Sequence, residues 1–280
     1  MFTLNCKGRL LTLQKPAVMG IINVNEDSFY AGSRKPASSA VAETAVRMLE
    51  AGATFIDIGG QSTHPQSPRI SAAEEISRVV AAIYAILEKE PDALISIDTY
   101  YSEVAGAAIA AGARLVNDIS GGQLDPNMLS AVGALNVPYI AMHMRGNPNT
   151  MAALTDYDDV FLSVFDYFVE KVAACQRAGI KDIILDPGFG FAKNQQQNYY
   201  LLSRLQEFAV LQRPMLVGVS RKSMIYKFLG ITSDQALNAT TVLHTYALER
   251  GAHILRVHDV AEASQAIQLL EILDKAGHQH

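Results

Sequence analysis

Several things are missing from this 280-residue chain, and each absence closes off a class of function. No apolar run approaches the roughly 18 residues that a membrane-spanning helix needs. Met1 to Leu13 has no basic stretch leading into an apolar one, so no secretory signal is read there. Cysteine is scarce. Cys6 and Cys175 lie far apart and match no metal or redox spacing, which predicts ordinary unpaired thiols and a reducing compartment. Basic excess is also lacking: the formal net charge is −5 with both signs interspersed, so no nucleic-acid-binding face is expected. Neither a GxGxxG in a strand-to-helix setting nor a GxxxxGK[ST] occurs, which removes the common nucleotide fingerprints. No Pro/Ser/Gly-rich or charge-block linker divides the chain, and it has no low-complexity tract. What remains is the make-up of a soluble, cytoplasmic protein, 49% apolar and 18% charged, with a sizeable core. A single domain over 1–280 is expected, because α/β barrels commonly run to about 250 residues as one unit.

After an opening segment, Phe2 to Leu13, that reads as a β-hairpin around Cys6-Lys7-Gly8, short apolar runs alternate with amphipathic stretches. The runs are Val18–Asn23, Thr54–Ile58, Leu94–Asp98, Leu115–Asp118, Tyr139–Met142, Ile183–Asp186, Met215–Val219 and Ile254–Val257. Each is too short for an independent helix and rich in β-branched residues, as strands buried on both faces of a parallel sheet are. Helical patterns lie between them, among them Ser39–Glu50, Ala72–Lys89, Ser102–Ala111, Val160–Ala178, Gln235–Arg250 and Ala261–Ala276. Gly52, Gly112, Gly179 and Gly251 each stand just past a helical pattern and a few residues before a strand. Repeated βα units of this kind favour an α/β fold of the (β/α)8 TIM-barrel type, with the N-terminal β-hairpin outside the barrel, over an open doubly wound sheet.

Active sites of such barrels gather at the C-terminal ends of the strands, and here nearly every run ends on a polar residue. The ends carry Asn23, Asp57, Asp98, Asn117-Asp118, His143, Asp186, Ser220-Arg221-Lys222 and Arg256-Val257-His258. Taken singly, Asp98 could cap the helix that begins near Ser102, and Asp186 could form a turn before Pro187-Gly188. Together, Asp98, Asn117 and Asp186 offer two carboxylates and an amide to a flat heterocycle with adjacent N–H donors, a pterin-like or guanine-like ring. Lys222, Arg256 and His258 form a basic cluster on the last two strands, where this fold often holds phosphate, so an anionic leaving group is implied. Arg256 and His258 alternate along the strand and point to one side. The loop Asp186 to Phe191 combines a rigid turn, two glycines and two aromatics able to stack on a ring, and Gly59-Gly60 allows close backbone approach.

These segments resemble the dihydropteroate synthases of the pterin-binding barrel group over nearly the whole chain, from Val18 to about Val260. The matching pieces are Gly20 to Val24 with Asp27-Ser28-Phe29, Asp57 to Gly60 with Ser62-Thr63, Ser96 to Thr99, Val116 to Gly122, Met142-His143-Met144, Asp186 to Phe191 with Lys193, Gly218 to Ser223, and Arg256 to Asp259. The resemblance implies pterin binding by Asp98, Asn117, Asp186 and Lys222, with Met142 and Phe191 packing nearby. It implies that Asn23, Arg256 and His258 hold pyrophosphate with Mg²⁺, Asn23 being the metal ligand. Phe29, Thr63, Pro65, Phe189, Lys222 and Ser223 would form the p-aminobenzoate pocket. Asp98, Asp186, Lys222, Arg256 and His258 would then be the catalytic set, and a homodimer is implied. The implied reaction is displacement of pyrophosphate from a dihydropterin methylene by the arylamine.

Departures from the family pattern sit in the early loops: Asn25-Glu26 replaces Thr-Pro, and Gln61, His64 and Gln66 stand where Glu, Arg and Gly are typical. Ala192 and Gln197 stand where Gly and His are common. His64 removes a permanent forked cation, and the loops are similar to those of sulfonamide-insensitive members, so reduced sulfonamide sensitivity is an expectation. Those members also lengthen the segment after the strand-six glycines, which Phe191 to Asn198 does not. Two other readings share the ring-binding set: a pterin-dependent methyltransferase, which would have no pyrophosphate for Arg256 and His258 to hold, and a non-catalytic pterin-binding homologue.

Overall fold

The structure is a computed structural model, and it describes residues 1–24, 37–61 and 69–277. The first two strands, β1 (Phe2–Cys6) and β2 (Arg9–Leu13), pair antiparallel as the predicted hairpin. Eight parallel strands follow: β3 (Ala17–Asn23), β4 (Phe55–Gly59), β5 (Ile95–Asp98), β6 (Leu115–Asp118), β7 (Tyr139–Met142), β8 (Ile183–Asp186), β9 (Leu216–Val217) and β10 (Ile254–Val257). Their spatial order is β8-β7-β6-β5-β4-β3-β10-β9, and a parallel bridge between Leu185 and Met215 joins the two ends. A sheet closed in this way, with a helix after each strand, is the predicted (β/α)8 barrel. The strand β9 is shorter than the run Met215–Val219 that the sequence offered. The chain turns away at Val219, whose carbonyl accepts the Lys222 N–H at 3.2 Å.

The helices are α1 (Ala37–Glu50), α2 (Ala72–Lys89), α3 (Ser102–Ala111), α4 (Met128–Leu135), α5 (Val160–Arg177), α6 (Gln195–Ser203), α7 (Ser223–Leu229), α8 (Leu237–Glu249) and α9 (Val260–Gly277). Their starts are set by side-chain caps where the sequence supplies them. Ser71 accepts the Glu74 N–H at 3.2 Å, and Asp159 accepts that of Leu162 at 3.0 Å. Asn194 and Gln197 form a reciprocal capping box at α6. The four glycines that end helical patterns all have positive φ, from 88° at Gly179 and Gly251 to 122° at Gly112. The amphipathic reading did not single out α4, α6 and α7, three short helices of 8, 9 and 7 residues.

Two apolar layers hold the barrel. Outward side chains such as Ile56, Ile97, Val116, Leu185 and Val257 pack against the helices. Inward ones at the N-terminal end of the strands, among them Met19, Phe55, Ile140 and Ile184, pack with Leu4, Cys6 and Leu13 of the hairpin, which plugs that mouth. One turn higher the interior becomes polar: Asp57, Ser96 and Asn117 are all buried inside the ring. That change of character marks the C-terminal mouth as the functional end. Both cysteines are buried and unpaired, and burial pushes the thiols up, Cys6 to about 12 and Cys175 to about 11, so neither is a ready nucleophile. Among the described residues no helix is long and apolar enough to cross a membrane.

Candidate active site

At the C-terminal mouth the strand ends converge on a cleft of about 220 Å³, lined among others by Asn23, Asp98, Phe191, Lys222, Arg256 and His258. All six were candidates from the sequence, and barrel closure is what joins them, because β10 pairs with β3 and thereby sets Arg256 beside residues of the first strands. The guanidinium of Arg256 donates from Nε to Asp57 Oδ2 at 2.6 Å and from Nη2 to Asp98 Oδ2 at 2.5 Å. Burial disfavours its charge, but the two carboxylates outweigh that and raise its pKa further, so it stays a permanent cation. Asp98 responds in the opposite direction. Burial pushes its carboxyl up to about 7, with Arg256 opposing the shift and Asp57 adding to it.

On the neighbouring arc, Asp186 closes β8 and Lys222 follows β9. Burial raises Asp186, against the opposing field of Lys222, and its Oδ1 accepts the Gly188 N–H at 2.8 Å. Lys222 is brought down to about 8 by burial, with Asp186 pulling it back up. Its ammonium donates to the Phe189 carbonyl and lies 4.4 Å from the centroid of the Phe191 ring. The Phe191 ring packs with Met142, Ile119, Met144 and Tyr100, giving the cleft one apolar wall suited to a flat ring. Asn117 donates to Asp57 Oδ2 at 2.9 Å. On the other side the Ser220 hydroxyl accepts the His258 backbone N–H at 3.1 Å and bonds Nδ1 at 3.0 Å. With the Ser220 hydroxyl donating into Nδ1, the neutral tautomer that carries its proton on Nε2 is the one that offers the cleft a donor, and burial together with Arg256 favours the neutral imidazole by lowering its pKa.

Some assignments change on contact with the structure. Phe189 was expected to offer its ring to an arylamine pocket; instead the ring is wholly buried in the layer between barrel and helices, and its carbonyl faces Lys222. The positive φ of Gly188 (69°) and Gly190 (81°) on either side turns the backbone so that the side chain goes outward and the peptide inward. Arg221 is not available to an anion, because it makes two 2.8 Å bonds to Asp259 and donates to the carbonyls of Ser233 and Asp234. Ser223 opens α7 beside Lys222 and is half-buried. Gln61 lines the cleft and donates to the Tyr100 hydroxyl at 2.5 Å. Phe29, Thr63 and Pro65, with the altered positions Asn25, Glu26, His64 and Gln66, lie outside the described residues. Ala192 sits at φ 47°, a left-handed conformation that costs an alanine about 1–2 kcal/mol and that glycine adopts freely.

Three contributors were given no role of their own in the reading of the sequence, although it named all three. Lys193, buried, donates to the Gly188 and Phe191 carbonyls and meets His143 Nδ1, all at 3.0 Å, so it shapes the loop that carries Phe191. Ser220 orients His258, and Asp57 joins Arg256 to Asn117. All three lie inside motif segments, but nothing in their spacing announces an inward-facing partner.

No group of three or more His, Cys, Asp or Glu among the described residues is arranged to hold a metal ion. A hard cation that keeps several waters needs less from the protein. The exposed Asn23 directs its Oδ1 to the same side of Gly59 as Asp98 Oδ2, each 3.7 Å from where a side chain on Gly59 would begin, which is ordinary contact distance. One amide oxygen beside a cationic cluster would suit Mg²⁺ bound mainly through a ligand's own oxygens, and it would not fit a structural zinc.

A profile of the pterin-binding enzyme family matches residues 19–258. Dihydropteroate synthase of Escherichia coli (strain K12) is 42% identical over 267 residues, covering 95% of this chain and 94% of that protein. The chain belongs to the dihydropteroate synthase family of pterin-binding enzymes. Among solved members of the family, the Xanthomonas albilineans dihydropteroate synthase with 4-aminobenzoic acid superposes with a TM-score of 0.90 at 38% identity, covering 97% of this chain and 98% of that one. The same enzyme in complex with 7,8-dihydropteroate gives 0.87 at 36% identity, covering 98% and 99%. The family and the barrel that the motifs suggested are therefore both shown.

Proposed function

We propose that this chain is a dihydropteroate synthase that condenses 6-hydroxymethyl-7,8-dihydropterin pyrophosphate with p-aminobenzoate, giving 7,8-dihydropteroate and pyrophosphate, with residues 1–280 acting as one pterin-binding domain. The observation that carries this reading is one cleft that sets an acceptor side, Asp98 with Asn117 and Asp186 near the ends of β6 and β8, against a cationic side lined by Lys222, Arg256 and His258. A pterin presents adjacent N–H donors to the first, with its ring against Met142 and Phe191, and its pyrophosphate meets the second.

The reaction breaks the bond from the pterin methylene to the pyrophosphate oxygen and forms one from the same carbon to the arylamine nitrogen, which loses a proton. No protein nucleophile is required. Arg256, Lys222 and His258 Nε2 take up charge growing on the leaving oxygens, while Asp98 and Asp186 favour positive character at the carbon. Asn23 would hold Mg²⁺, which when bound neutralises further leaving-group charge. The p-aminobenzoate half draws on Lys222 and Ser223 and on the loop residues Phe29, Thr63 and Pro65.

A cytoplasmic homodimer accords with the absence of a spanning helix among the described residues and with exposed apolar side chains on the last three helices: Phe228 at 65%, Val242 at 60% and Leu273 at 65%. The deciding experiment is pyrophosphate release by purified protein with Mg²⁺ and both substrates, each omitted in turn, with Lys222→Ala as control. Release that needs both substrates and disappears in the mutant is expected. Pterin binding without release would instead mark a non-catalytic homologue.

A further inference from the structure

A fully buried carboxylate lies beneath the cleft without touching it. Asp57, on β4, is 0% exposed and does not line the cleft, yet it bonds to Arg256, which does line it, and to Asn117, the amide assigned above to the pterin. Its Oδ2 accepts from Arg256 Nε at 2.6 Å and from Asn117 Nδ2 at 2.9 Å, while its Oδ1 is buried and finds no donor among the described residues. As a device for stability this is poor. Burying an ion pair rarely gains over apolar packing, and an unpaired buried oxygen is a cost.

Its geometric effect is specific. The Asn117 atom facing a carboxylate oxygen at 2.9 Å has to be the donor nitrogen, so the amide oxygen of Asn117 is turned away from Asp57. The amide therefore presents an acceptor, and a flipped amide would present donors to a ring that is itself rich in donors. For Arg256, the bond at Nε fixes the root of the guanidinium. With one further N–H on Asp98, three of its five remain for an anion. A ring that takes over Asp98 as acceptor competes with Arg256 Nη2, and the anchor at Nε then lets the guanidinium pivot without leaving the pyrophosphate side.

We infer that Asp57 is a positioning residue, one carboxylate oxygen of which aims the Asn117 amide oxygen at the pterin and holds the Arg256 guanidinium for the pyrophosphate. This rests on the synthase reading given above. Asp57 acts through two neighbours that serve the same substrate, so its effect falls on the dihydropterin pyrophosphate and not on p-aminobenzoate.

The test measures binding of dihydropterin pyrophosphate by calorimetry without p-aminobenzoate, and separately the KM for p-aminobenzoate at saturating pterin. Asp57→Ala is expected to weaken pterin binding on the order of tenfold or more, as loss of an orienting partner does, with that KM within about twofold of wild type. Asp57→Asn keeps an oxygen able to accept both bonds but lacks the charge, and it should recover part of the loss. In an Asn117→Ala background, Asp57→Ala should cost clearly less, because one of the two residues it aims is gone. Equal weakening of both substrates, full additivity with Asn117→Ala, or wild-type affinity in Asp57→Ala would each overturn the inference. If Asp57→Ala does not fold, unchanged affinity in Asp57→Asn overturns it as well. Wild-type protein that binds the pterin but releases no pyrophosphate would instead refute the synthase reading, while the affinity series still decides the role of Asp57.

Discussion

Replacing Lys193 by methionine tests the electrostatics of this site most directly. The ammonium is buried, and it is the donor to the Gly188 and Phe191 carbonyls at 3.0 Å each. Methionine keeps the length and leaves both oxygens without it, at a cost of about 1–3 kcal/mol apiece. A pH dependence is superimposed. Burial, assisted by Lys222 and Arg145 and opposed by Asp186, lowers Lys193 to about 7, while His143 at its side is held neutral by burial and by Lys193 itself. In the unfolded chain the amine keeps its ordinary value near 10.5. Between pH 7 and 10.5 the unfolded state therefore binds more protons than the folded one, and the contribution of Lys193 to stability rises with pH. The full penalty is present below pH 7. The mutant lacks this slope, whereas Lys222 is common to both proteins and cancels. The gap between wild type and Lys193→Met should widen by about 1 kcal/mol per pH unit between pH 7 and pH 9. Urea unfolding at the two pH values measures it. A gap that stays constant or narrows as pH rises would refute the claim that the loop is held by a desolvated lysine that sheds its proton above about pH 7.

Two further outcomes follow from particular distances. Asp98 has to be ionised to accept paired N–H groups, and with its carboxyl pushed up to about 7 by burial, pterin affinity should fall about tenfold from pH 8 to pH 6; calorimetry that finds a flat profile would count against Asp98 as the ring acceptor. In α4, a Cβ on Gly133 would lie 1.9 Å from the Ala178 carbonyl oxygen at the end of α5. Gly133→Ala, which in an open helix gains up to about 1 kcal/mol, should here destabilise by about 1–3 kcal/mol, and a melting temperature at or above wild type would disprove the close approach.

The strands were legible because a strand buried on both faces needs an apolar run, and each run carries a polar residue at or next to its end. The family was legible because those ends are short, ordered motifs. Directions of side chains were not. Phe189 looked like a ring donated to the pocket, yet two glycines at positive φ turn its peptide inward and its ring outward. Arg221 directly precedes Lys222 in the sequence, yet Asp259 and two carbonyls claim it, and its own φ of 52° sets it apart from the strand's alternation. Helix α6 begins with a run of glutamines that has no apolar stripe, so it went unread although a capping box opens it.

Spacing along the chain also says nothing of which strand ends become neighbours. Arg256 and Asp57 are 199 residues apart, and they meet because β10 pairs with β3, which in turn pairs with β4. The same closure sorts charge around the ring. Asp57, Asp98, Asn117 and Asp186 belong to the arc from β4 to β8, while Lys222 and the Arg256–His258 pair belong to β9 and β10, which close the gap between β8 and β3. Each cationic residue therefore has an acidic neighbour across a seam: Lys222 beside Asp186, and Arg256 beside Asp57 and Asp98. A ligand that is donor-rich at one end and anionic at the other can lie across both arcs only if those seam pairs yield to it. Asp57, buried below and unable to reach the ligand, keeps Arg256 in place while they do.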